Sequence, residues 1–398
     1  MTSPEQPPKI FIIGGTGAQG IPVITALVRD SKYRVRVLTR DPSSARAQHL
    51  LSLNPSNVEL VTGTFTSESD LRSGFAGCMG AFINIDGFNC GEKTEVFWAM
   101  RAYELAVADG GIEFFVYGNL DYGYKLGGYD RQFRSGHYDG KGRVGEWILF
   151  QNQQNQKDGK DGKSPMKAAL FTTGPYIEMA IASATPMTPT VEDDGIVTWR
   201  VPLGVNGAVP HVALDDCGYY VRWLFDNASR ANGVDLAVAI EHVDYSELAR
   251  AFTAVTGHAA RFIDVDMEAY WASGPMSRVA NFASASESDP ADPAFMTIRE
   301  NFTGFWNLYR ASRRDNTGVL KRDYALLDEI HPGRIRSVEE WFRVENERGI
   351  ALGKGSLWER VQPGKIRPTL KGNEDGKKGG GGGLIFKFHL SVGCSLII

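Results

Sequence analysis

Apolar residues recur along the first part of the chain with two different periods. Short runs rich in β-branched and aromatic residues predict strands near 10–13, 33–41, 58–63, 80–85 and 112–119. Between them, apolar residues return at helical spacing, as in "GIPVITALVRD" and "KTEVFWAMRAYELAVADG". Strands that alternate with helices predict a parallel sheet covered by helices on both faces.

The pattern changes in the second half of the chain. The polar stretch Gln151 to Pro165 predicts a solvated loop, and "AALFTTGPYIEMA" predicts one more strand that ends at Gly174-Pro175. From about Asp193 only short strands and helices are indicated, so we expect a smaller mixed α/β C-terminal lobe. A substrate or partner cleft would lie between the two parts.

These patterns divide the chain into three segments. We predict a nucleotide-binding domain over 8–180, a smaller substrate or partner lobe over 181–358, and a flexible glycine-rich tail over 359–398. The apolar end of the tail, "LIFKFHLSVGCSLII", is too short to span a bilayer as a helix. We interpret it as a disordered end rather than a docked strand.

The first strand runs directly into a glycine-rich turn. Gly14, Gly17 and Gly20 follow "KIFII" at a spacing of three and precede a predicted helix. Glycines in this position allow a tight turn, a close backbone approach to a pyrophosphate and close packing of helix on strand. Their place between strand and helix predicts a Rossmann-type doubly wound α/β fold that binds a dinucleotide.

The end of the second predicted strand bears on the choice of dinucleotide. An acidic residue there would bind the ribose hydroxyls of NAD, whereas an arginine can pair with the 2′-phosphate of NADP. The sequence "LTRDPSSA" places Arg40 at this position, with Ser43 and Ser44 behind it. NADP is therefore predicted, and Asp41 keeps NAD as an alternative.

Composition excludes several other classes of protein. The formal net charge is -4, which offers no cationic face for nucleic acid. The four cysteines lack the spacing of a zinc site or a disulfide framework, and no run is long and apolar enough for a signal peptide or a membrane span. We expect a protein without metal or membrane partners in the cytoplasm, with the nucleus as an alternative location.

Several motifs in order resemble one known family. "GGTGAQG", "LTRD", "HYDGKGRVGEWI", "FTTGPYIEM", "VPHVALDDCGYYV" and "LDEIHPGRIRSVEEWFR" are similar to the NmrA-like family of atypical short-chain dehydrogenases, over nearly the whole chain to about residue 345. The resemblance implies a Rossmann domain with a small α/β lobe that binds NADP(H) or NAD(H). The family includes redox-sensing regulators that contact transcription factors, as well as oxidoreductases.

The resemblance also implies a set of cofactor contacts. At the phosphates it implies Gly14, Gly15, Thr16, Gly17, Ala18, Gln19 and Gly20 for the pyrophosphate and Arg40, Asp41, Pro42 and Ser43 for the 2′-phosphate. Elsewhere it implies Thr64 and Phe65 at the adenine, Asn84, Ile85 and Asp86 at the ribose and phosphates, Lys141 at the nicotinamide ribose, and Tyr176, Ile177, Glu178 and Met179 at the nicotinamide. Thr64 departs from the acidic residue that the family usually has at the adenine edge.

The catalytic pattern of a short-chain dehydrogenase is incomplete. A tyrosine should precede the lysine by four residues, so that the lysine lowers the pKa of its hydroxyl. Here His137 stands four residues before Lys141, and Tyr138 is one place out of register. Either side chain could approach Lys141 on a helix. We predict that Lys141 binds ribose, and we keep Lys141 and His137 as candidate acids.

Two functions follow from this pattern. The broken tyrosine-lysine pair favours an NADP(H) sensor that regulates a transcription factor or other partner through protein contact. The alternative is an NADPH-dependent oxidoreductase that reduces a small carbonyl or conjugated substrate, with Lys141 or His137 as the acid.

Overall fold

The structure is a computed structural model that describes residues 6–109, 111–158, 165–285 and 289–370. Its strands are β1 Lys9–Ile13, β2 Arg34–Thr39, β3 Val58–Thr62, β4 Gly80–Ile83, β5 Phe114–Leu120, β6 Lys167–Thr173, β7 Thr190–Val191, β8 Val197–Val201, β9 Val209–His211, β10 Asp235–Ala237, β11 Glu241–Val243 and β12 Ala260–Asp264. Its α-helices are α1 Gly20–Val28, α2 Ala45–Leu53, α3 Glu68–Phe75, α4 Gly87–Asp109, α5 Gly123–Leu126, α6 Gly136–Asp158, α7 Leu214–Asp226, α8 Tyr245–Thr256, α9 Met267–Ser273, α10 Ile298–Arg310, α11 Tyr324–Ile330, α12 Val338–Ala351 and α13 Leu357–Arg360.

A seven-stranded parallel sheet forms the centre of the larger lobe. Its strand order is β10-β6-β5-β4-β1-β2-β3, and every neighbouring pair is parallel. Residues 10–13 of β1 are buried, as expected for a central strand that is covered on both faces. The predicted Rossmann-type α/β fold is confirmed, and its chain order reverses between β1 and β4, where such folds bind their ligands.

Helices cover both faces of this sheet. Side chains of α1 and α7 pack with β1, β2 and β4 in one apolar core, and side chains of α3, α4 and α6 form a second core on the opposite face. The edge strand β10 comes last along the chain among the strands of this sheet and is only three residues long. The sequence analysis does not predict it, because three residues are too few to show an alternation with a period of two.

The stretch predicted as a loop is partly helical. Helix α6 continues to Asp158, so the predicted loop over Gln151 to Pro165 is wrong for its first eight residues. The cause is tertiary: Asn152 is buried, and its Nδ2 atom donates to Asn232 Oδ1 at 2.9 Å. A polar residue thus faces the interior, which hydrophobic periodicity does not detect.

The smaller C-terminal lobe is mixed α/β, as predicted. Strands β9 and β11 form an antiparallel pair, and β7, β8 and β12 form a second small sheet. Its core contains many large aromatic side chains, including Trp199, Trp306, Tyr270 and Tyr309. The domain boundaries at 180 and 358 stay predictions.

Part of the segment predicted as a tail packs against this lobe. Val361 is buried, and the carbonyl of Arg367 accepts a hydrogen bond from the Ser183 N–H at 3.0 Å. The packed chain therefore extends beyond residue 359. The remainder, including the apolar segment at the end of the chain, lies outside the described residues.

A buried ion pair joins the two lobes. Asp121, directly after β5, accepts two hydrogen bonds from the Arg322 guanidinium, at 2.8 and 2.7 Å. Arg322 also donates to the carbonyl of Val238 at 3.1 Å, and its side chain has no exposed surface. This bidentate pair aligns the lobe with the carboxyl ends of the strands.

We expect Asp121→Ala to lower the free energy of unfolding by about 3–5 kcal/mol, because it leaves a buried guanidinium without its counter-ion. Glu339→Ala is the matched control, since it breaks the exposed Glu339–Arg343 pair and should cost less than about 0.5 kcal/mol. Urea unfolding of both variants measures the difference. Equal losses would contradict a special role for the buried pair.

Candidate cofactor and active site

The glycine turn between β1 and α1 has little room for side chains. Gly14 has a φ of 84°, and a Cβ atom there would lie 2.3 Å from the Asn84 carbonyl oxygen. At Gly20 it would lie 2.2 Å from the Gly14 oxygen. At Gly17 that same oxygen, at 3.1 Å, makes a tight contact but is the only atom of the described residues found within 4 Å beyond its chain neighbours, so the rest of the space around this position is open. The turn therefore offers a bare backbone surface beside the N-terminus of α1, which suits a pyrophosphate.

The loop after β2 presents an exposed basic side chain. Arg40 is exposed and has no hydrogen-bond or ionic partner among the described residues. The Asp41 carboxylate instead accepts hydrogen bonds from the Ser43 N–H at 2.9 Å and the Ser43 hydroxyl at 2.5 Å. The acidic group is thus engaged within its own turn, while the guanidinium remains available.

A second arginine, which the sequence analysis did not select, also lies at this end of the site. Arg46, in the first turn of α2, donates to the carbonyl of Thr16 at 3.3 Å. It therefore spans from the loop after β2 to the glycine turn. The signal in the sequence was a basic residue shortly after Arg40, but only the fold places it beside the glycines.

The predicted adenine edge at Thr64 and Phe65 lies beside a carboxylate that the sequence analysis also missed. Asp70, on α3, accepts from the Thr64 N–H at 2.9 Å. The hydroxyls of Thr64 and Thr66 are 2.9 Å apart, and Phe65 packs against the core below them. An acidic side chain thus lies beside Thr64, although it holds the turn.

A chain of polar side chains crosses the carboxyl ends of the central strands. Tyr176 lies 3.5 Å from Gln19 Nε2, and Gln19 Oε1 accepts from Asn84 Nδ2 at 2.7 Å. Asn84 Oδ1 in turn accepts from Lys141 Nζ at 3.2 Å. The network brings together predicted residues from four separate segments of the sequence.

Lys141 is saturated with acceptors. Besides Asn84, its ammonium group contacts the carbonyls of Ile85 at 2.8 Å and Gly118 at 3.2 Å, and Glu95 Oε1 at 2.7 Å. An ammonium group has three N–H donors, so these four acceptors already exceed its capacity. To bind a ribose hydroxyl, Lys141 must therefore release one of these partners. The Asn84 side chain can move most easily, because two of the other partners are backbone carbonyls and the third is the fully buried Glu95.

Glu95 was not selected from the sequence because it lies within an ordinary helical pattern on α4. Its side chain is fully buried. Burial raises the pKa of Glu95, and the nearby Lys141 ammonium opposes that shift. When Glu95 is ionised, its charge partly compensates that of Lys141, which weakens the ability of the lysine to lower the pKa of a neighbouring acid.

Tyr138 does not face Lys141. Its hydroxyl lies 2.5 Å from the Tyr309 hydroxyl inside the core of the smaller lobe, and burial raises its pKa. The expectation that either Tyr138 or His137 could approach the lysine is therefore wrong for the tyrosine. His137 shares the face of α6 that carries Lys141, one turn earlier.

His137 lies where the two lobes meet. Its Nδ1 atom is 2.9 Å from Nδ2 and 3.1 Å from Oδ1 of Asn301 on α10, and its ring packs against Phe88, with centroids 4.4 Å apart. Burial, with a contribution from Lys141, lowers its pKa to about 4. The imidazole is therefore neutral at pH 7 and does not act there as a cationic acid.

The predicted nicotinamide segment has divided roles. Only Tyr176 joins the polar network. The Ile177 N–H donates to the Val212 carbonyl at 2.9 Å, and Met179 packs in the core of the smaller lobe. Glu178 Oε1 accepts from the Leu214 N–H at 3.0 Å at the start of α7, and burial raises the pKa of Glu178 to about 8.

Asp86 directly precedes α4, and its carboxylate binds groups in the first turn of that helix. It accepts hydrogen bonds from the Phe88 N–H at 3.1 Å and from Asn89 Nδ2 at 2.5 Å.

No cluster of His, Cys, Asp and Glu suitable for a metal ion occurs in the described part of the chain. Within the same ranges, no helix is long and apolar enough to cross a membrane.

Comparison with known proteins identifies the family. The sequence model of the NmrA-like family matches residues 6–287. The chain belongs to the NmrA-like family. A curated relative, the NmrA-like family domain-containing oxidoreductase malD of Malbranchea aurantiaca, is 24% identical over 351 residues, which cover 86% of this chain and 97% of malD.

Solved structures share the fold of this NmrA-like chain. NmrA, a negative transcriptional regulator, in complex with NADP aligns with a TM-score of 0.63 and 17% identity over 89% of this chain and 100% of NmrA. The NADPH-dependent quinone oxidoreductase QOR2 of Escherichia coli, complexed with NADPH, aligns with a TM-score of 0.58 and 16% identity over 83% of this chain and 98% of QOR2.

We expect Lys141→Met to lower the free energy of unfolding by about 3–5 kcal/mol, because it leaves Glu95 buried without a counter-ion. Without the lysine, burial holds the folded-state pKa of Glu95 above its unfolded value. The variant's deficit should therefore grow as pH rises above the ordinary range of a glutamate and shrink in acid.

Urea unfolding of Lys141→Met between about pH 5 and pH 8 measures this dependence. The double variant Lys141→Met/Glu95→Gln is the control, since it removes both charges and should regain most of the loss without the pH dependence. A Lys141→Met deficit that does not change with pH would contradict the pairing.

Proposed function

We propose that this chain is an NADP(H)-dependent oxidoreductase that reduces a small carbonyl or conjugated substrate by hydride transfer, with NAD as a weaker alternative cofactor. The cofactor supplies the hydride. The chain's own residues bind its phosphates and ribose, orient it across the ends of β1 and β4, and bind the substrate in the cleft between the lobes.

The residues at the proposed cofactor site fit this dinucleotide. The surface at Gly17 is free of side chains, and the Arg40 guanidinium is exposed while Asp41 is turned into its own loop. Arg46 adds a second positive charge beside the glycine turn. Both charges suit a 2′-phosphate, which NADP has and NAD lacks.

The position of His137 carries the proposal of catalysis. A neutral imidazole one helical turn from Lys141 lines a cavity between the two lobes, together with Asn301. Such a ring can donate a hydrogen bond to a substrate oxygen. The name of malD as an oxidoreductase supports the same function.

A second candidate is a sensor that reports the redox state of NADP(H) to a protein partner, such as a transcription factor. The saturation of Lys141 and the burial of Tyr138 favour it, because they remove the tyrosine-lysine acid of short-chain dehydrogenases. A sensor must bind NADP and NADPH with different affinities, because a ligand shifts an equilibrium only through its differential affinity.

Arg40→Asp should remove or reverse a preference for NADP over NAD. Loss of a guanidinium-phosphate pair at an exposed site, with a new like charge in its place, should weaken NADP binding about tenfold or more and leave NAD binding within about twofold. Calorimetric titration of both cofactors measures this. Arg29→Asp, the same charge change at an exposed position at the end of α1, is the control.

Equal affinities of the parent protein for NADP and NAD would contradict the role of Arg40. A comparable loss of NADP binding in Arg29→Asp would instead indicate a general effect of net charge.

The parent protein should oxidise NADPH in the presence of at least one member of a panel of quinones, conjugated enones and aldehydes. Gly17→Val is the matched control, because its side chain would fill the open face of the turn and should abolish both NADP binding and turnover. Turnover in Gly17→Val would place the reaction elsewhere. Absence of turnover by a parent that binds NADP and NADPH with different affinities would favour the sensor.

A further inference from the structure

We propose that Asn301 fixes the proton of His137 on Nε2, so that a neutral imidazole N–H binds the substrate oxygen on which negative charge develops. This inference rests on the proposed oxidoreductase function. In this proposal His137 is a catalytic residue, because its Nε2–H contacts the substrate oxygen. Asn301, which belongs to the opposite lobe, is a positioning residue that acts through His137.

Three buried polar side chains decide where the proton lies. Ser135, His137 and Asn301 are 1%, 8% and 1% exposed. The Ser135 hydroxyl lies 3.4 Å from Asn301 Oδ1, and Asn301 Nδ2 lies 2.9 Å from His137 Nδ1. If serine donates to the amide oxygen and one amide N–H donates to Nδ1, each of the three side chains has a hydrogen-bond partner. Nδ1 is then an acceptor, and the proton of the neutral ring must be on Nε2.

The opposite tautomer leaves a buried donor without an acceptor. With a proton on Nδ1, that N–H could donate to Asn301 Oδ1 at 3.1 Å or to the Ser135 hydroxyl oxygen at 3.3 Å, but Asn301 Nδ2 would then have no acceptor among the described residues. If the amide were rotated to accept from Nδ1, its NH₂ group would face Ser135, whose own hydroxyl proton would then have no acceptor. An unsatisfied buried donor costs about 1–3 kcal/mol, which is enough to select one tautomer.

Nε2 is the ring atom that remains for a ligand. In the described part of the chain it has no hydrogen-bond partner, and His137 lines a cavity of about 20 Å³ with Gly87, Glu92, Gly136, Met296 and Asn301. That volume holds about one water molecule, which could accept a hydrogen bond from Nε2–H, so the favoured tautomer need not leave this donor unsatisfied. A single substrate oxygen could take the place of such a water.

The surroundings keep the ring neutral. Phe88, Phe302 and Phe305 pack around the imidazole. The charged groups that face it are Lys141 on its own helix and Glu92 across the cavity, and Glu92 is already paired with Arg134 and Arg143. Helix α10 presents the uncharged side chains of Asn301, Phe302 and Phe305.

A neutral N–H donor favours particular substrates. NADPH would supply the hydride and be left as NADP. As the hydride adds to the substrate carbon, the π electrons of the carbonyl or of the conjugated system shift so that an electron pair and the negative charge end on the substrate oxygen. The imidazole stabilises that oxygen by a hydrogen bond without losing its proton, and solvent then supplies the proton. Quinones and conjugated enones suit this site best, because their reduced products are stabilised phenolate or enolate anions.

The tautomer can be measured without any turnover. In protein labelled with ¹⁵N-histidine, the His137 signals, assigned by their loss in His137→Gln, should have the pattern of an Nε2–H ring and should not titrate between about pH 5.5 and pH 8.5. An Nδ1–H pattern, or titration within this range, would overturn the inference. Failure of the oxidoreductase proposal would leave this result unchanged.

The pH profile of turnover tests the role of Asn301. In the parent, kcat for a quinone or enone should stay flat over this range. In Asn301→Asp the carboxylate should draw the proton to Nδ1 and raise the pKa of His137. Its kcat should therefore fall by about tenfold or more as pH rises through that pKa, since the ring loses its Nε2 donor.

Asn307→Asp is the matched control, because it makes the same change on α10 at a residue that donates instead to the Gln132 carbonyl. Its profile should remain flat. A flat profile in Asn301→Asp, with NADPH affinity unchanged and the fold intact, would overturn the positioning role.

Discussion

The buried ammonium group of Lys141 is the constraint on which the arrangement of the site depends. It contacts Asn84 and the Ile85 carbonyl after β4, the Gly118 carbonyl in β5, and Glu95 on α4. A charge removed from water must find such partners, so the position of Lys141 fixes these elements relative to α6. Asn84 also contacts the glycine turn. A side chain at Gly14 would collide with the Asn84 carbonyl, so the position of Asn84 constrains the position of the turn.

The fold could be predicted because its signals are local, and the residues proposed for the phosphates were chosen from equally local signals. Strand composition, helical period and the glycine turn depend on neighbouring residues, and Arg40 follows directly from the end of β2. The polar end of α6 could not be predicted, because the burial of Asn152 comes from a residue 80 positions away. Propensity rules assign such glutamine-rich and asparagine-rich segments to solvent.

The residues missed in the site share the same physical cause. Glu95 and Asp70 lie on helices whose patterns explain them without any function, and Asn301 belongs to the smaller lobe, 164 residues from His137. Their roles appear only when the fold brings a buried charge or a ring nitrogen beside them. Periodicity identifies which side of a helix is buried, but it does not identify the partner of a polar group there.

Because His137 and Asn301 belong to different lobes, the nitrogen of the imidazole that carries the proton also depends on the relative orientation of the two lobes. A hydrogen bond of 2.9 Å weakens steeply when its atoms separate or tilt. The Asp121–Arg322 pair also joins these two lobes. A small rotation of one lobe would therefore break this hydrogen bond between His137 and Asn301, and the imidazole proton could then lie on either ring nitrogen. His137 presents a defined Nε2–H donor only while the two lobes stay aligned.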